Sequence, residues 1–208
     1  MTDSLVPSDA AEDRSTSFAL LIEQACAGDR AAFDQIMICS ERRVVRVAWH
    51  ILGNEADARD AAQEVFLRLY KHMHRFKRER DFDAWLYRIT VNVCRDIWRK
   101  RRKPGGSDQW ASLETERELG SLETLVSADD AEAATLLTQK RLMVRRALET
   151  LPEKERVAIV LRDLEGFSTE EVASILGTRP ATVRSQISMA RQKIKLYCDR
   201  ILRGRGRR

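Results

Sequence analysis

The sequence is poor in the residues from which metal sites, disulfide frameworks and membrane spans are built. Its 208 residues include three histidines and four widely spaced cysteines, with no CxxC pair: Cys26, Cys39, Cys94 and Cys198. Metal sites need closer ligand clusters, so we expect free thiols in a reducing cytoplasm and no bound metal or other cofactor. No apolar run approaches the roughly 18 residues of a membrane span, and the polar N-terminus lacks the apolar core of a signal peptide. We therefore expect a soluble cytoplasmic protein without membrane insertion.

Signatures of catalysis are also missing from the sequence. It has no Gly-rich phosphate loop, no cluster of metal ligands and no Ser-His-Asp constellation with supporting context. We therefore expect that the protein is not an enzyme.

The charges are segregated along the chain although the net charge is only +5. Residues 179–208 contain ten Lys or Arg and one acid, whereas residues 108–132 contain eight acids and one Arg. A strongly basic end favours binding to a polyanion, and an acidic segment without regular apolar spacing is typical of a linker. For the last five residues alone, a basic tail without a specific role is the simpler interpretation.

Strand signals are almost absent, and helical periodicity with capping residues runs through most of the chain. The pattern predicts helices over about 18–27, 30–52, 54–74, 81–103, 131–149, 152–165, 169–176 and 180–199. We expect an all-α fold of two small helical domains, at 16–103 and 131–199, joined by a flexible acidic linker at 104–130. Residues 1–15 are predicted to be a disordered N-terminus and residues 200–208 a basic tail.

The second block contains a predicted helix-turn-helix, STEEVASILGTRPATVRSQISMARQKI. Ser168 and Glu171 have the spacing of a capping box, and Gly177 can adopt the left-handed conformation of a sharp turn. In the helix that follows, apolar residues lie on one face: Val183, Ile187, Ala190 and Ile194. Polar side chains lie on the other face, toward base edges, with cations at its flank toward phosphates: Ser185, Ser188, Met189, Gln192, Arg184, Arg191 and Lys195. An ordinary solvated amphipathic helix is the alternative.

In the first block, the stretch NEADARDAAQEVFLRLY divides into two faces. Ala61, Val65 and Leu69 are predicted to be buried. The opposite face carries what we call the acidic stripe: Asp60, Gln63, Glu64 and Leu67. Acids around an exposed leucine suit a protein partner, although a merely solvated face is the alternative.

The next stretch, DFDAWLYRITVNVCRDIWRKRRK, is basic and aromatic. We call its row of arginines the basic stripe: Arg88, Arg95, Arg99 and Arg102. Tyr87, Val91 and Trp98 are predicted beside it. Arginines next to aromatic rings suit unstacked single-stranded DNA, since phosphates contact cations and bases stack on rings. A core tryptophan beside a solvated arginine row is the alternative.

Together, these stretches resemble the extracytoplasmic-function sigma factors of bacterial RNA polymerase, in the sigma-70 family. DARDAAQEVFLRLY resembles the polymerase-binding helix of region two, and FDAWLYRITVNVCRDIWRKRR resembles the helix pair that melts and recognises the −10 element. LPEKERVAIVLRDLEGFSTEEVASILGTRPATVRSQISMARQKI resembles region four, which recognises the −35 element. The similarity covers about residues 17–103 and 131–198, in the family's order.

The resemblance implies a sigma factor that binds core RNA polymerase and directs promoter-specific initiation. The residues implied to bind the clamp helices of the beta prime subunit are Asp57, Asp60, Gln63, Glu64 and Leu67. Those implied at the −10 element, where a base is flipped out, are Arg75, Lys77, Arg78, Arg88, Asn92, Arg95, Trp98, Arg99 and Arg102. Those implied at the −35 element are Thr182, Arg184, Ser185, Gln186, Ser188, Met189, Arg191, Gln192 and Lys195.

The resemblance also implies further partners and leaves one rival function. The helix from Pro152 would contact the flap of the beta subunit, and an anti-sigma factor would cover the same surfaces. The chain departs from the family at Ala181, where Gly is frequent, and at Gln186 and Met189, where Arg or Lys is frequent. Fewer cations there would weaken nonspecific DNA binding. The rival is a two-domain helix-turn-helix regulator that acts without binding core polymerase.

Overall fold

A computed structural model describes residues 9–77, 79, 81–101 and 141–205, without the side chains of 9–16, 202, 204 and 205. All regular structure in these residues is helical, which confirms the predicted all-α class with two helical domains. The first domain contains α1 (Asp9–Cys26), α2 (Arg30–Leu52), α3 (Glu55–His72), a 3₁₀ turn (Met73–Arg75) and α4 (Phe82–Arg101). The second contains α5 (141–149), α6 (Glu153–Ile159), a π-helical turn (Val160–Leu164), α7 (Thr169–Leu176) and α8 (Pro180–Arg205).

Local capping interactions fix the helix ends of the first domain. Asn54 begins α3 by accepting a hydrogen bond from the amide of Asp57 at 2.8 Å. Asp81 begins α4 in the same way, accepting from the amides of Asp83 and Ala84 at 2.8 and 3.3 Å. Gly53 ends α2 with φ of 85°, a left-handed conformation that favours glycine. Asn54 and Asp81 are therefore the N-caps of the helices predicted from 54 and 81.

The core of the first domain forms where α2, α3 and α4 pack together. Its fully buried side chains include Ile36, Val47, Ile51, Val65, Leu69 and Leu86. Each side chain of this size contributes about 2 kcal/mol on removal from water, so one apolar face per helix holds the bundle together. The opposite face of α3 is exposed.

The second domain is a helix-turn-helix, as predicted. Ser168 accepts from the amide of Glu171 at 3.2 Å, and Glu171 accepts from the amide of Ser168 at 2.6 Å, which completes the capping box. Gly177 ends α7 with φ of 63°. Val183, Ile187 and Ala190 are buried and seat α8 on the domain.

Three helix boundaries differ from the predictions. Helix α1 begins at Asp9, so residues 9–15, predicted to be disordered, are helical; Ala10, Ala11 and Glu12 are strong helix formers. Helix α8 continues to Arg205 through the predicted tail, since no Pro or Gly interrupts it before Gly204. The predicted helix at 152–165 changes to a π-helical turn after Ile159.

Several predictions lie outside the described residues. They concern the linker at 104–130, the start of the helix at 131–149, and Arg78 and Arg102 in the −10 set. Within the described part of the chain, no helix has both the length and the apolarity needed to cross a bilayer.

The two domains contact each other directly. Helix α4 packs against α7, and α2 contacts α6 and the π-helical turn. This arrangement brings part of the basic stripe of the first domain against the second domain. The sequence alone does not predict this contact.

Candidate polymerase and nucleic-acid interfaces

The acidic stripe lies on the outer face of α3. Asp60 and Gln63 are exposed, Glu64 is half-buried, and 55% of Leu67 is exposed. Glu64 accepts a hydrogen bond from Arg68 at 2.7 Å, and Arg68 also donates to Asp96 of α4 at 2.9 Å. These carboxylates raise the pKa of Arg68. The structure therefore brings four of the five predicted polymerase-binding residues to one surface.

Asp57, the fifth residue of that set, has a different environment. It is half-buried, forms an ion pair with Arg101 and accepts a hydrogen bond from the side-chain amide of Asn54. The carboxylate thus joins the first turn of α3 to the last turn of α4. This position makes Asp57 a residue that fixes the two helices relative to each other.

An apolar groove between α2 and α3 extends the surface around Leu67. Its volume is about 1020 Å³, and its lining includes Met37, Ile38, Phe66 and Tyr70. Ile38 is 61% exposed and Tyr70 is 53% exposed, and with Leu67 they form one apolar patch of the kind found at protein interfaces. The sequence does not reveal this exposure, because Ile38 lies two positions from the core residue Ile36 in a continuous apolar run. The exposed Leu67 was the only signal that pointed to the groove.

The basic stripe on α4 is only partly accessible. Asn92 and Arg99 are exposed. Arg88 is half-buried and donates to the carbonyls of Ser174 and Ile175 in the second domain, the latter at 3.2 Å.

Arg95 and Trp98 lie against α6. Arg95 donates to Glu153 at 3.1 Å, and the guanidinium of Arg156 lies 4.9 Å from the centre of the Trp98 ring. Tyr87 and Val91, predicted beside the stripe, are buried. The second domain therefore covers three predicted −10 residues that the sequence placed on a free face.

The loop before α4 carries the other predicted −10 cations. Arg75 and Lys77 are exposed. Between them, Phe76 packs on Trp85 and Phe82, with ring centres 5.0 and 5.5 Å apart. This aromatic contact holds the loop against the start of α4, so its cations lie beside the helix that carries Asn92 and Arg99.

The outer face of α8 matches the predicted −35 surface in its exposure. Its exposed members are Thr182, Arg184, Ser185, Ser188, Met189, Arg191, Gln192 and Lys195. Gln186 differs, since it is half-buried and its Oε1 is buried without a hydrogen-bond partner among the described residues. Gln186 therefore lies at the edge of the surface rather than at its centre.

The arginines at the flank of α8 are held by acids of the same domain. Arg191 donates two hydrogen bonds to Asp163, at 3.0 and 2.7 Å, and this carboxylate raises the pKa of Arg191. Arg184 donates to Glu170 at 3.4 Å. With Arg162, a residue that the helical pattern of α8 does not indicate, they line a pocket of about 340 Å³. A pocket with three guanidinium groups suits a phosphate.

The cysteines and acids of the structure show no arrangement for metal binding. In the described part of the chain, no three His, Cys, Asp or Glu side chains gather as a metal site would require. All four cysteines are free thiols, and burial raises the pKa of Cys94 to about 12. Such a thiol is protonated at neutral pH and is a poor nucleophile.

Comparison with known proteins identifies both domains. The family model for sigma-70 region 2 matches residues 39–103, and that for sigma-70 region 4 matches residues 141–194. The chain is 34% identical over 176 residues to the ECF RNA polymerase sigma-E factor of Escherichia coli, covering 84% of this chain and 91% of the relative. It is 30% identical over 184 residues to the RNA polymerase sigma-H factor of Pseudomonas aeruginosa, covering 88% and 94%.

Solved structures show the same architecture. CnrH, in complex with the cytosolic domain of CnrY, aligns with a TM-score of 0.62 and 27% identity, covering 87% of this chain and 96% of CnrH. The sigma factor RpoE of Bartonella quintana, in complex with the anti-sigma factor NepR, aligns with a TM-score of 0.60 and 23% identity, covering 80% and 96%. The second match supports the fold alone. With both domain models matched in order and full-length relatives at this identity, the chain belongs to the extracytoplasmic-function class of the sigma-70 family of RNA polymerase sigma factors.

Proposed function

We propose that this sigma factor uses three separate surfaces to direct RNA polymerase to promoters, recognising and melting the −10 element and recognising the −35 element. One observation carries the proposal: an acidic and apolar groove, an arginine-rich helix and a helix-turn-helix occur in this order in one chain. A helix-turn-helix regulator that acts without polymerase needs only the last of these.

The groove between α2 and α3 is the proposed site for the clamp helices of the beta prime subunit. Leu67 and Ile38 supply exposed apolar area, and Asp60 and Glu64 supply charges that attract basic side chains. Interfaces of this kind combine apolar anchors with a charged rim that orients the partner. We assign Gln63 to the same surface. Asp57 instead orients α3 through its contacts with Asn54 and Arg101.

The basic stripe and the loop before α4 are the proposed −10 surface. Arg75 and Lys77 lie next to a flipped base in this proposal, and Asn92 and Arg99 contact the adjoining strand. Arginines bind phosphates while an aromatic ring such as Trp98 stacks on a base, a combination that suits melted DNA. Arg78 and Arg102 belong to the proposed set by sequence position.

The outer face of α8 is the proposed −35 surface. Ser185, Ser188 and Gln192 face outward at helical spacing, as a helix in the major groove requires. Arg162, Arg184 and Arg191 would hold a backbone phosphate in their pocket, after release from Asp163 and Glu170. We place Thr182, Met189 and Lys195 in the same interface and Gln186 at its border.

Further assignments rest on the family. We propose that α6 contacts the flap of the beta subunit. Residues 104–130 are the proposed linker between the domains at 16–103 and 131–199. Residues 1–15 are the proposed N-terminal segment, and residues 200–208 the proposed basic tail. An anti-sigma factor is the proposed regulator, as the sigma factor RpoE of Bartonella quintana is bound by the anti-sigma factor NepR. The protein then works in the cytoplasm, where the polymerase is, and no residue is assigned a catalytic role.

Transcription in vitro with core polymerase over genomic DNA, followed by mapping of start sites, tests the proposal. We expect defined start sites that share −10 and −35 sequences, with none in the absence of this chain. Binding to duplex DNA together with failure to bind core polymerase would favour the rival regulator.

A further inference from the structure

Asp163 is the acid that holds Arg191 at the flank of the proposed −35 surface. Its two carboxylate oxygens accept from Nε and Nη2 of Arg191, at 3.0 and 2.7 Å. This is the two-point geometry in which a guanidinium also binds two oxygens of a phosphate. A DNA phosphate that binds Arg191 in this way therefore competes with Asp163 for the same two donors.

The local structure gives no separate reason for an acid at position 163. The residue lies in the π-helical turn Val160–Leu164, which continues the helix that begins at Glu153 and forms its C-terminal end. Helix C-termini carry partial negative charge, which disfavours a carboxylate there. The ion pair with Arg191, 28 positions away, offsets this cost.

The pair lies at a pocket that reaches the exposed face of α8. Ser188 of that face lines the pocket together with Arg162, Arg184 and Arg191. The side chains of Arg191 and Asp163 are 60% and 29% exposed. Ion pairs with this much contact with water are weak, so a phosphate can displace the carboxylate.

Glu170 makes a weaker contact of the same kind with Arg184. It accepts one hydrogen bond at 3.4 Å, and the side chains of Arg184 and Glu170 are 65% and 67% exposed. Glu170 also lies in the first turn of α7, where the positive end of the helix favours an acid. Its presence is thus explained without DNA, whereas that of Asp163 is not.

We propose that Asp163 is an internal competitor of the DNA backbone for Arg191. It holds the guanidinium in the free chain, yields it to a phosphate at the −35 element and takes it back on dissociation. This inference rests on the proposed assignment of α8 to the −35 element.

The competition should act on every DNA sequence. Phosphate contacts carry no sequence information, so Asp163 lowers the affinity for all duplexes. Base contacts from Ser185, Ser188 and Gln192 are then what makes binding at the −35 element strong enough. Because variants of one interface differ mostly in their dissociation rates, Asp163 should also shorten the lifetime of the complex.

The test measures duplex binding by the full chain. A fluorescent duplex with the −35 element of a mapped promoter and an unrelated duplex of equal length are titrated, and binding is followed by anisotropy. Dissociation is timed after addition of excess unlabelled duplex. The variants are Asp163→Asn, Arg191→Ala, the two combined, and Glu170→Gln. Asp199→Asn makes the same change from carboxylate to amide on α8, outside the pocket, and is the control.

We expect Asp163→Asn to tighten binding to both duplexes about fivefold relative to Asp199→Asn, mostly through slower dissociation. Glu170→Gln should tighten it about twofold, since its single contact is longer. In the Arg191→Ala background, Asp163→Asn should have no more effect than the control. A carboxylate that only supported the fold would weaken binding when replaced, so a gain of affinity distinguishes competition from a structural role.

Two results would overturn the inference, and both differ from failure of the proposed function. Weaker binding by Asp163→Asn would show that Asp163 supports Arg191 as a DNA ligand. A gain that persists without Arg191, or no gain beyond that of Asp199→Asn, would show that the two side chains do not compete with DNA as a pair. In both cases transcription still begins at defined start sites, whereas absence of such sites with core polymerase rejects the function itself.

Discussion

Arg156 of the second domain donates a hydrogen bond through Nη1 to the carbonyl of Ile51 in the first domain, at 2.9 Å. Its Nη2 donates to the carbonyls of Glu149 and Leu151, at 2.7 and 3.2 Å, and so closes the end of α5. Burial lowers the pKa of Arg156 to about 10, which leaves it charged at neutral pH. One guanidinium thus satisfies helix-end carbonyls of both domains.

Replacing Arg156 should destabilise the fold. Arg156→Met keeps an apolar stem but leaves buried carbonyls without donors, and we expect a loss on the order of 3 kcal/mol in the free energy of unfolding. Urea unfolding followed by circular dichroism measures it. Arg146→Met, at an exposed position of α5, is the control; equal stability of the two variants would contradict this role.

The acidic stripe should contribute to polymerase affinity. Asp60→Ala combined with Glu64→Ala removes one exposed and one half-buried carboxylate, and we expect binding to core polymerase to weaken roughly tenfold while the fold stays intact. Fluorescence anisotropy of labelled protein titrated with core polymerase measures it. Glu170→Ala, in the second domain, should leave this affinity unchanged. Normal holoenzyme formation by the double variant would show that the stripe is a solvated face.

The arginines that flank α8 should determine the salt dependence of −35 binding. Arg184→Ala combined with Arg191→Ala removes two phosphate contacts, so the slope of log K against log salt should fall by about 2 in magnitude. The measurement uses a promoter duplex from the mapped start sites, with Arg146→Ala as control. An unchanged slope would mean that this edge of α8 does not touch DNA.

Gly177 should be required for its backbone conformation alone. Its φ is 63°, and a Cβ built there has nothing within 4 Å, so added atoms cause no clash. Gly177→Ala should cost about 1 kcal/mol, and Gly177→Asn less, because asparagine tolerates left-handed backbone better. Thermal unfolding should rank the three proteins Gly, Asn, Ala; an alanine variant as stable as wild type would contradict this.

His50 should make the protein sensitive to acid. Burial lowers its pKa from the ordinary 6.5 to about 4, with opposing effects from Glu165, which raises it, and Arg46, which lowers it further. Since the folded pKa lies below the unfolded one, the stability due to neutral His50 is complete above about pH 6.5 and lost as the pH falls towards 4.

The contribution of His50 between pH 7 and pH 5 should be about 2 kcal/mol. Urea unfolding at the two pH values measures it for wild type and His50→Gln, which cannot titrate. The variant should lose correspondingly less stability on acidification. Identical pH dependence of the two proteins would show that another group is responsible.

Features that depend on neighbouring residues could be predicted from the sequence. The caps at Asn54 and Asp81, the capping box of Ser168 and the turn at Gly177 each involve residues within four positions of one another. Helical spacing then identified the buried face of α8 and its exposed polar face. The helical state of residues 9–15 and 200–205 was not predicted, because helix propensity is the only signal there.

Contacts between distant residues could not be predicted. Glu165 meets Tyr87 across 78 positions and Arg46 across 119. The spacing of Arg88 and Arg95 shows that they share a face but not what covers it, since carbonyls and phosphates both accept from arginine. The groove at Ile38 could not be predicted, because the sequence does not show whether an apolar residue next to a core position is buried or exposed.

The contact of Arg88 with the end of α7 has a thermodynamic consequence. The carbonyls of a helix C-terminus carry partial negative charge, and Arg88 donates to two of them side by side, much as it would to two oxygens of one phosphate. The end of α7 is in this sense a protein mimic of the DNA backbone. Arg88 cannot bind a phosphate with the same donors while it holds these carbonyls, so a nucleic acid reaches this guanidinium only by displacing the end of α7.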